Sequence, residues 1–560
     1  MYQKFENYLL SILNAPSKKK KLLWLTLGAF ILSIALIPTQ LVMAKMLPGK
    51  NNDTYSIYID LPSGSSIEQT RQTSECVTAL LQKEPEALDM EVFLGTGSPL
   101  DFAGLIKGSH FKNNENVAEI VLNLTKKHDR SEPSYRMVQR LRPLIQKECE
   151  NLTPQTSIKF IEPPAGPPTM AAIVAEIYGN DAAGIRHLSS RVKEVLVKTP
   201  GLVDIDIMQD EIVDKLEVRV NSDKIARSGL DIKHVNDTLY LAYEGMPIAV
   251  KNSELTSEQI PLFLVLSPEG KKFSSKDVNE VHMKLSSLRL MNTSGMMIPL
   301  TEVVEITAVK SNPMIVTKNL HQMTNVLAET DMLSQVYPLM EARNVILDTF
   351  TNEYEIHKIG LFNLELIDKK SKERYELLWD GEMEVTLDTF VDLGGAFIAA
   401  LILIFLLMVI YYKSFVLSGI VLLGSFLSIV GVLFGHLIMD AFTADTFFLT
   451  ATSLIGFIAL IGISSRNSLL LIDFTKSLMI DKKMEKKEAI AYAAATRAKP
   501  IFLTAAAIIL ASTLLASDAV FGGLGISLIF GTIAAVISSL IVVPVLLDNS
   551  DLEKHFKSDE

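Results

Sequence analysis

Residues 462–474 read GISSRNSLLLIDF. The run before this stretch is uncharged and mostly apolar from Thr446 to Ser465. Then comes Arg466, and six more uncharged residues separate it from Asp473. A guanidinium inside such a run costs several kcal/mol of insertion free energy unless water or a partner reaches it. If the run spans a membrane, Arg466 is a functional residue in need of an anion. If it snorkels, its long stem carries the charge to the nearer interface, toward Asp473 on the same helix face.

The same kind of run recurs outward from this point. Residues 22–44, 393–412, 414–439, 446–472, 500–517 and 519–547 are nearly charge-free. The chain of 560 residues is 48% hydrophobic and still 21% charged, and these segments segregate the two classes. A span needs roughly 17–25 apolar residues, so six transmembrane helices are expected, 500–517 being the shortest. Residues 22–44 exceed a signal-peptide core and no small-residue cleavage site follows, so this segment reads as a retained span.

Lysine and arginine in the short loops set the orientation. Lys18 to Lys21 precede the first span, Lys413 lies between the second and third, and the 474–499 loop carries seven basic residues. The opposite loop, DAFTAD (440–445), has none. Both termini are therefore expected in the cytoplasm and residues 46–390 outside. Residues 2–14 place Phe5, Leu9, Leu10 and Leu13 at helical spacing, which predicts a helix lying on the inner membrane lipid surface. The net charge of −11 averages over compartments and identifies no partner; nothing points to nucleic acid.

In the external region TYSIYIDLP (54–62) alternates like a half-buried strand. A helix over 65–83, strands over 90–97 and 115–127, a helix over 134–149 and a strand over 157–164 follow, the order of a split βαβ unit. PPAGPP (163–168) reads as a stiff linker. A second unit opens with a strand over 171–179, a helix over 182–200 and a strand over 202–210. Its second half returns only near 305–390, after an insertion of about a hundred residues. Residues 354–376 have strand-like pieces with no place in that scheme.

Cys76 and Cys149 both fall on predicted helices. A disulfide is allowed outside the cytoplasm, but two independent helix cysteines is the plainer reading. No enzyme motif, metal-type Cys/His spacing or cofactor loop is present. His110, His187 and His282 are scattered, and Met170, Met296 and Met297 read as core or pocket-lining residues before they read as soft-metal ligands.

One amphipathic helix, one span, a long external region and five clustered spans, with GISSRNSLLLIDF, RAKPIFLT (497–504), IVVPVLL (541–547) and MIPLTEVVEI (297–306), resemble the C-terminal half of a resistance-nodulation-division (RND) efflux pump of the drug-exporter branch. The resemblance implies six transmembrane helices and an external α+β region of two ferredoxin-like porter units with an inserted docking domain. It divides the chain into a cytoplasmic flank (1–21), a first span (22–45), a porter subdomain (46–165), a second one (166–208 and 305–389), a docking domain (209–304), five spans (390–547) and a tail (548–560). It also implies a proton-antiporting secondary transporter rather than an enzyme, in a bacterial inner membrane with the large domain periplasmic. Arg466, Asn467, Arg497 and Thr504 stand at the family's proton-relay positions.

In that family two aspartates of the other half complete the relay. The acidic residues of the spans here, Asp392, Asp440, Asp445, Asp473 and Asp518, all lie at their ends. A pump of this kind needs two pseudo-symmetric halves. The expected partner is therefore a separate N-terminal-half polypeptide carrying the aspartate pair, within a trimeric pump that engages a periplasmic adaptor and an outer-membrane channel. Arginine replaces the family's usual lysine at 466, and arginine stays charged and prefers bidentate carboxylates. The alternatives are a truncated or non-transporting scaffold, a protein-export accessory of the SecD/SecF kind, and heavy-metal cations as the substrate class. Phe93, Phe102 and Phe111 are the candidate substrate-lining residues.

Overall fold

The computed structural model describes residues 2–552 apart from 48, 50, 101, 164, 165, 167, 168, 257, 258, 274–276, 332, 333, 444 and 445. The Phe102 side chain, most of the PPAGPP linker, Asp445 and the tail beyond 552 lie outside the described residues. Helix α1 (Tyr2–Leu13) buries Leu9, Ile12 and Leu13 in an apolar cluster with Leu471, Ile490 and Leu547 from the membrane segments. It is thus packed against helical neighbours, and only its other side is free for lipid. Helix α2 (Pro16–Ala35) starts with proline in its first turn, where the missing N–H costs nothing. Only residues 22–35 of the charge-free run 22–44 are helical. Turns follow around Pro38, which cannot donate to a continuing helix.

The first α/β unit consists of β1 (Thr54–Asp60), α3 (Ile67–Leu81), β2 (Ala87–Leu94), a short α4 (Phe102–Lys107), β3 (Val117–Leu124), α5 (Ser134–Cys149) and β4 (Ser157–Ile161). Ser66 caps α3 through a capping box with Gln69, which sets its start. The sheet order is β2-β3-β1-β4 with every neighbour antiparallel. Strands β1 and β2, joined by α3, therefore run parallel with β3 between them, and β3 and β4, joined by α5, run parallel with β1 between them. Strand alternation sends Tyr55, Ile57, Ile59, Ile120, Leu122 and Phe160 into one core with the two helices. The opposite sheet face is left without a helix layer of its own.

Cys76 and Cys149 are joined by a disulfide, with Cα atoms 5.8 Å apart. This corrects the expectation of independent thiols: the cysteines are 73 residues apart in sequence, but α3 and α5 pack side by side on the sheet.

The second unit begins with β5 (Ile173–Gly179), α6 (Ala182–Lys198) and β6 (Leu202–Ile207). Residues Gln209–Met314 then form a separate compact unit. It contains β7 (Asp214–Val220), α7 (Ser222–Ser228), α8 (Ile232–Tyr243), the β8–β9 hairpin (Met246–Lys251, Ile260–Leu264), α9 (Pro268–Lys271), α10 (Val278–Ser286), the β10–β11 hairpin (Arg289–Met291, Met297–Pro299) and β12 (Val304–Lys310). Strand β12 pairs with β7, so the unit closes where it opened.

The chain returns through β13 (Val316–Lys318), β14 (His321–Thr330), α11 (Val336–Thr349), β15 (Tyr354–Ile359), β16 (Asn363–Asp368) and β17 (Arg374–Asp380). The sheet runs β13-β14-β5-β17-β16-β15, and β6 pairs with β14. The order β6-β14-β5-β17 repeats the first unit's pattern. The segment 354–376 finds its place here: β17 is the fourth strand of the pattern, and β15 with β16 is a hairpin added to its edge.

Five helices among the described residues are long and apolar enough to cross a membrane: Glu382–Tyr412, Phe415–Phe442, Ala451–Ile480, Lys486–Ala516 and Gly522–Asn549. Helix α2 is not among them, because its own first turns contain the four lysines. The five are α12 (Glu382–Tyr412), α13 with α14 (Phe415–Phe426, Ser428–Phe442), α15 (Ala451–Ile480), α16 (Lys486–Ala516), and α17 with α18 (Gly522–Ile537, Val543–Asn549). A π-helical turn at Ser538–Val542 joins the last two, where Pro544 withholds a backbone donor. The expected loop 474–499 is mostly helix. Helix α15 runs on to Ile480, and α16 starts at Lys486 and carries Pro500 inside it.

Candidate functional site

Helix α15 is packed by neighbours on most of its circumference. Ser464, Ser465, Asn467, Ser468, Leu471 and Ile472 are all buried. One stripe is not: Ile455, Ala459, Gly462, Arg466 and Leu470 are exposed, at steps of three and four residues. A Cβ added at Gly462 would meet nothing within 4 Å. Arg466 thus lies on one exposed stripe of a helix that is packed on most of its other sides. Among the described residues it makes no ion pair or hydrogen bond.

The snorkel partner is not engaged. Asp473 instead accepts a hydrogen bond from the Tyr411 hydroxyl of α12 at 3.1 Å. Asn467, beside Arg466, is 5% exposed and faces the packed side. On α16 the Arg497 guanidinium lies over the Phe474 ring, 4.9 Å from its centroid, a cation–π contact that ties α16 to α15. Its Nε is buried with no hydrogen-bond partner. Thr504 is exposed, and its hydroxyl donates to the carbonyls of Pro500 at 3.1 Å and Ile501 at 2.9 Å. No contact among the described residues joins Arg466, Arg497 and Thr504 to one another. They share two packed helices, and what they have in common is cationic or hydroxyl groups without an acidic partner.

Lys19 and Lys486, near the ends of the long helices, are by contrast spent on structure. Lys19 pairs with Asp548 at 2.7 Å, and Lys486 donates to the carbonyls of Asp548 and Ser550 at 2.7 and 2.5 Å. The Tyr2 hydroxyl is hydrogen-bonded to Thr496, which pins α1 to α16 one residue before Arg497.

The open face of the first sheet holds a cavity of about 310 Å³, lined among others by Ser56, Tyr58, Glu91, Ser98, Glu119 and Val121. Cross-strand register places Lys159, Tyr58, Glu119 and Phe93 in one row on this face. Phe93 stands beside Glu119 in that row without lining the cavity, and Phe111 is 70% exposed in the turn after α4. The lining therefore mixes carboxylate, hydroxyl and tyrosine groups with Pro99, Val121, Ile161 and Pro163, and neither Phe93 nor Phe111 belongs to it. The signal was available as the alternate residues of the strands.

The two α/β units of this region meet through ion pairs. Arg142 contacts Asp204 at 3.3 Å and Asp331 at 3.1 Å, Lys107 contacts Glu329 at 2.7 Å, and Lys159 bridges Asp60 and Asp206. Burial alone would raise the Asp60 carboxyl, but Lys159 and Lys112 hold it down to about 2. Sequence reasoning missed this seam, because its partners lie far apart in the chain.

A model of the AcrB/AcrD/AcrF family matches residues 1–548. The multidrug resistance protein MdtC of Yersinia enterocolitica is 23% identical over 440 residues, 77% of this chain and 39% of that protein. The MdtC of Yersinia pseudotuberculosis is 23% identical over 437 residues, with the same coverage. Two crystal forms of a heavy metal efflux pump share the fold, each with a TM-score of 0.71 at 18% identity. The alignment to one covers 99% of this chain and 52% of the pump's chain. The chain thus spans 39% of the length of these curated relatives and about half of the solved pump.

Proposed function

The chain belongs to the AcrB/AcrD/AcrF family of RND transporters, secondary transporters rather than enzymes, and we propose that it supplies the basic half of a proton-driven exporter. The observation that carries this reading is the exposed stripe on α15 that bears Arg466, which makes no ion pair among the described residues. A guanidinium held in a membrane helix gains several kcal/mol from a carboxylate partner. The partner is an acidic pair on a second set of helices seated against the stripe, contributed by a separate polypeptide. Protonation of that pair releases Arg466, and its deprotonation recaptures it, which converts a proton step into a helix movement. Arg497, with its buried and unsatisfied Nε, and Thr504 and Asn467 complete the relay.

The repeated strand orders β2-β3-β1-β4 and β6-β14-β5-β17 support reading the external units as two ferredoxin-like porter domains. The inserted unit is then the docking end, facing an adaptor and an outer-membrane channel in a trimeric assembly. In this arrangement the protein sits in the bacterial inner membrane with the porter region periplasmic, both termini cytoplasmic and α2 as the sixth span.

The test is efflux of a fluorescent substrate from vesicles or cells containing the assembled pump, driven by an imposed pH gradient. Arg466→Ala is expected to reduce proton-coupled efflux at least about tenfold, about 1.4 kcal/mol of coupling, and Arg466→Lys to retain it. Unimpaired efflux in Arg466→Ala removes the coupling role.

A further inference from the structure

We propose that Glu162, directly after β4, is a proton-binding residue whose charge state sets how tightly the two α/β units are held along their ion-paired seam. This site lies outside the membrane helices, and it rests on the exporter reading only for its physiological role. Two residues before Glu162, the Phe160 backbone N–H donates to Asp204 of β6 across the seam at 3.2 Å. The Glu162 Oε1 is buried and has no hydrogen-bond partner among the described residues. A carboxylate buried in this way keeps its charge only where a cation pairs with it.

The charged groups that face Glu162 are engaged elsewhere. Arg142 of α5 and Lys45, in the segment before β1, favour its charged form, while Glu329 near the end of β14 and Asp331 just past it oppose them. Arg142 is shared between Asp204 at 3.3 Å and Asp331 at 3.1 Å. Lys45 lies over the Phe448 ring, 5.6 Å from its centroid. Glu329 is held by Lys107 at 2.7 Å, and Lys159, on β4 itself, bridges Asp60 and Asp206. Among the described residues neither Arg142 nor Lys45 closes an ion pair with Glu162. Burial therefore prevails and pushes the carboxyl up to about 7. Neutral Glu162 leaves Arg142 to Asp204 and Asp331, and the seam is satisfied. Ionised Glu162 sets a third carboxylate against one guanidinium, which weakens the tie from α5 to β6 and to the end of β14. Lys45 and Glu329 also face Glu382 at the start of α12, so the change in charge falls beside the junction of sheet and membrane helix.

The test places one spin label on each α/β unit, through Leu152→Cys after α5 and Val197→Cys on α6, both exposed positions. Cys76 and Cys149 are joined to each other and take no label. Distance distributions between the labels are measured by pulsed electron paramagnetic resonance on the full chain in lipid nanodiscs, from about pH 5.5 to about pH 8.5. The parent is expected to show one narrow distance in acid and a longer, broader component that grows at least about threefold on the alkaline side, with a midpoint near 7. Glu162→Gln should keep the narrow distance throughout. Asp331→Asn removes a like charge that faces Glu162, and should move the midpoint to lower pH by about half a unit. A purely structural role for Asp331 would leave that midpoint where it is. A parent distribution that does not respond to pH overturns the proposal. So does a Glu162→Gln chain that follows the parent, or an unmoved midpoint in Asp331→Asn. Because the seam is read without transport, a chain whose seam responds to pH and that exports nothing overturns the exporter reading and leaves this proton site standing.

Discussion

Arg142 of the first α/β unit holds Asp204 of the second, Nε to Oδ2 at 3.3 Å, with the aspartate side chain 1% exposed. Asp204 also accepts from the Phe160 backbone N–H at 3.2 Å, and its backbone adopts φ +53°. Burial pushes its carboxyl upward, and Arg142 opposes that push. Arg142→Ala leaves a buried carboxylate without its cation and is expected to cost about 3–5 kcal/mol. The double variant with Asp204→Asn should recover part of this loss. Urea unfolding of the purified chain measures both, and additive effects in the double variant would remove the coupling.

A second expectation concerns pH. Burial raises the Glu162 carboxyl to about 7 against the opposing pull of Arg142 and Lys45; Glu329 and Asp331 push it the same way as burial. An unfolded glutamate titrates near 4.3. The folded state therefore holds this proton more tightly. The stabilisation is complete below the unfolded value and is lost as pH rises through about 7. Asp60, held at about 2, has the opposite sign and loses its contribution only under strong acid. The unfolding temperature is expected to fall between about pH 5 and about pH 8, and Glu162→Gln to flatten that fall. An unchanged slope in the variant would count against a buried proton on Glu162.

The disulfide closes a loop of 73 residues, and loop-closure entropy of that size is worth about 4 kcal/mol to the first unit. Cys76→Ser with Cys149→Ser should lower its stability by an amount of that order and leave the membrane helices unaffected. Hydrogen exchange resolved by segment separates the two regions.

Helices α14 and α17 approach closely because glycine permits it. A Cβ on Gly435 would sit 2.6 Å from the Phe530 ring and its Cβ. Gly435→Val is expected to destabilise the bundle by about 1–3 kcal/mol through overpacking. Gly394→Ala on α12, where an added Cβ meets nothing within 4 Å, is the neutral control. Thermal unfolding in detergent distinguishes the two.

What the chain discloses about itself divides by the range of the interaction. The strand over 54–62 was readable because one face of β1 is core and the other is not, so alternation reports it directly. The α/β pattern between the first helices and α12 followed from such local signals. The hairpin β15–β16 could not be placed, since it enlarges a sheet whose partner strand lies beyond it, and only the register says where it attaches. The start of α16 was hidden by its basic residues, which resemble a loop until Lys486 is seen to bond the last helix's carbonyls. Arg466 announced itself as a charge among apolar neighbours. Glu119 did not, because a glutamate within a strand looks solvent-exposed until the loop carrying Ser98 is folded over it. The disulfide needed α3 and α5 to be brought together.

Strand β17 ends at Asp380 and α12 begins at Glu382, with only Gly381 between them, at φ +87°. Its neighbours Glu382 and Met383 donate to the Ala171 and Ala172 carbonyls at 3.1 Å, and a Cβ on Gly381 would stand 2.6 Å from the Ala171 oxygen. A sheet and a membrane helix are thus welded through a single residue with no slack. Tilting the helix must swing the sheet like the boom of a crane, and the amplitude at the far end is set by leverage rather than by diffusion along a tether.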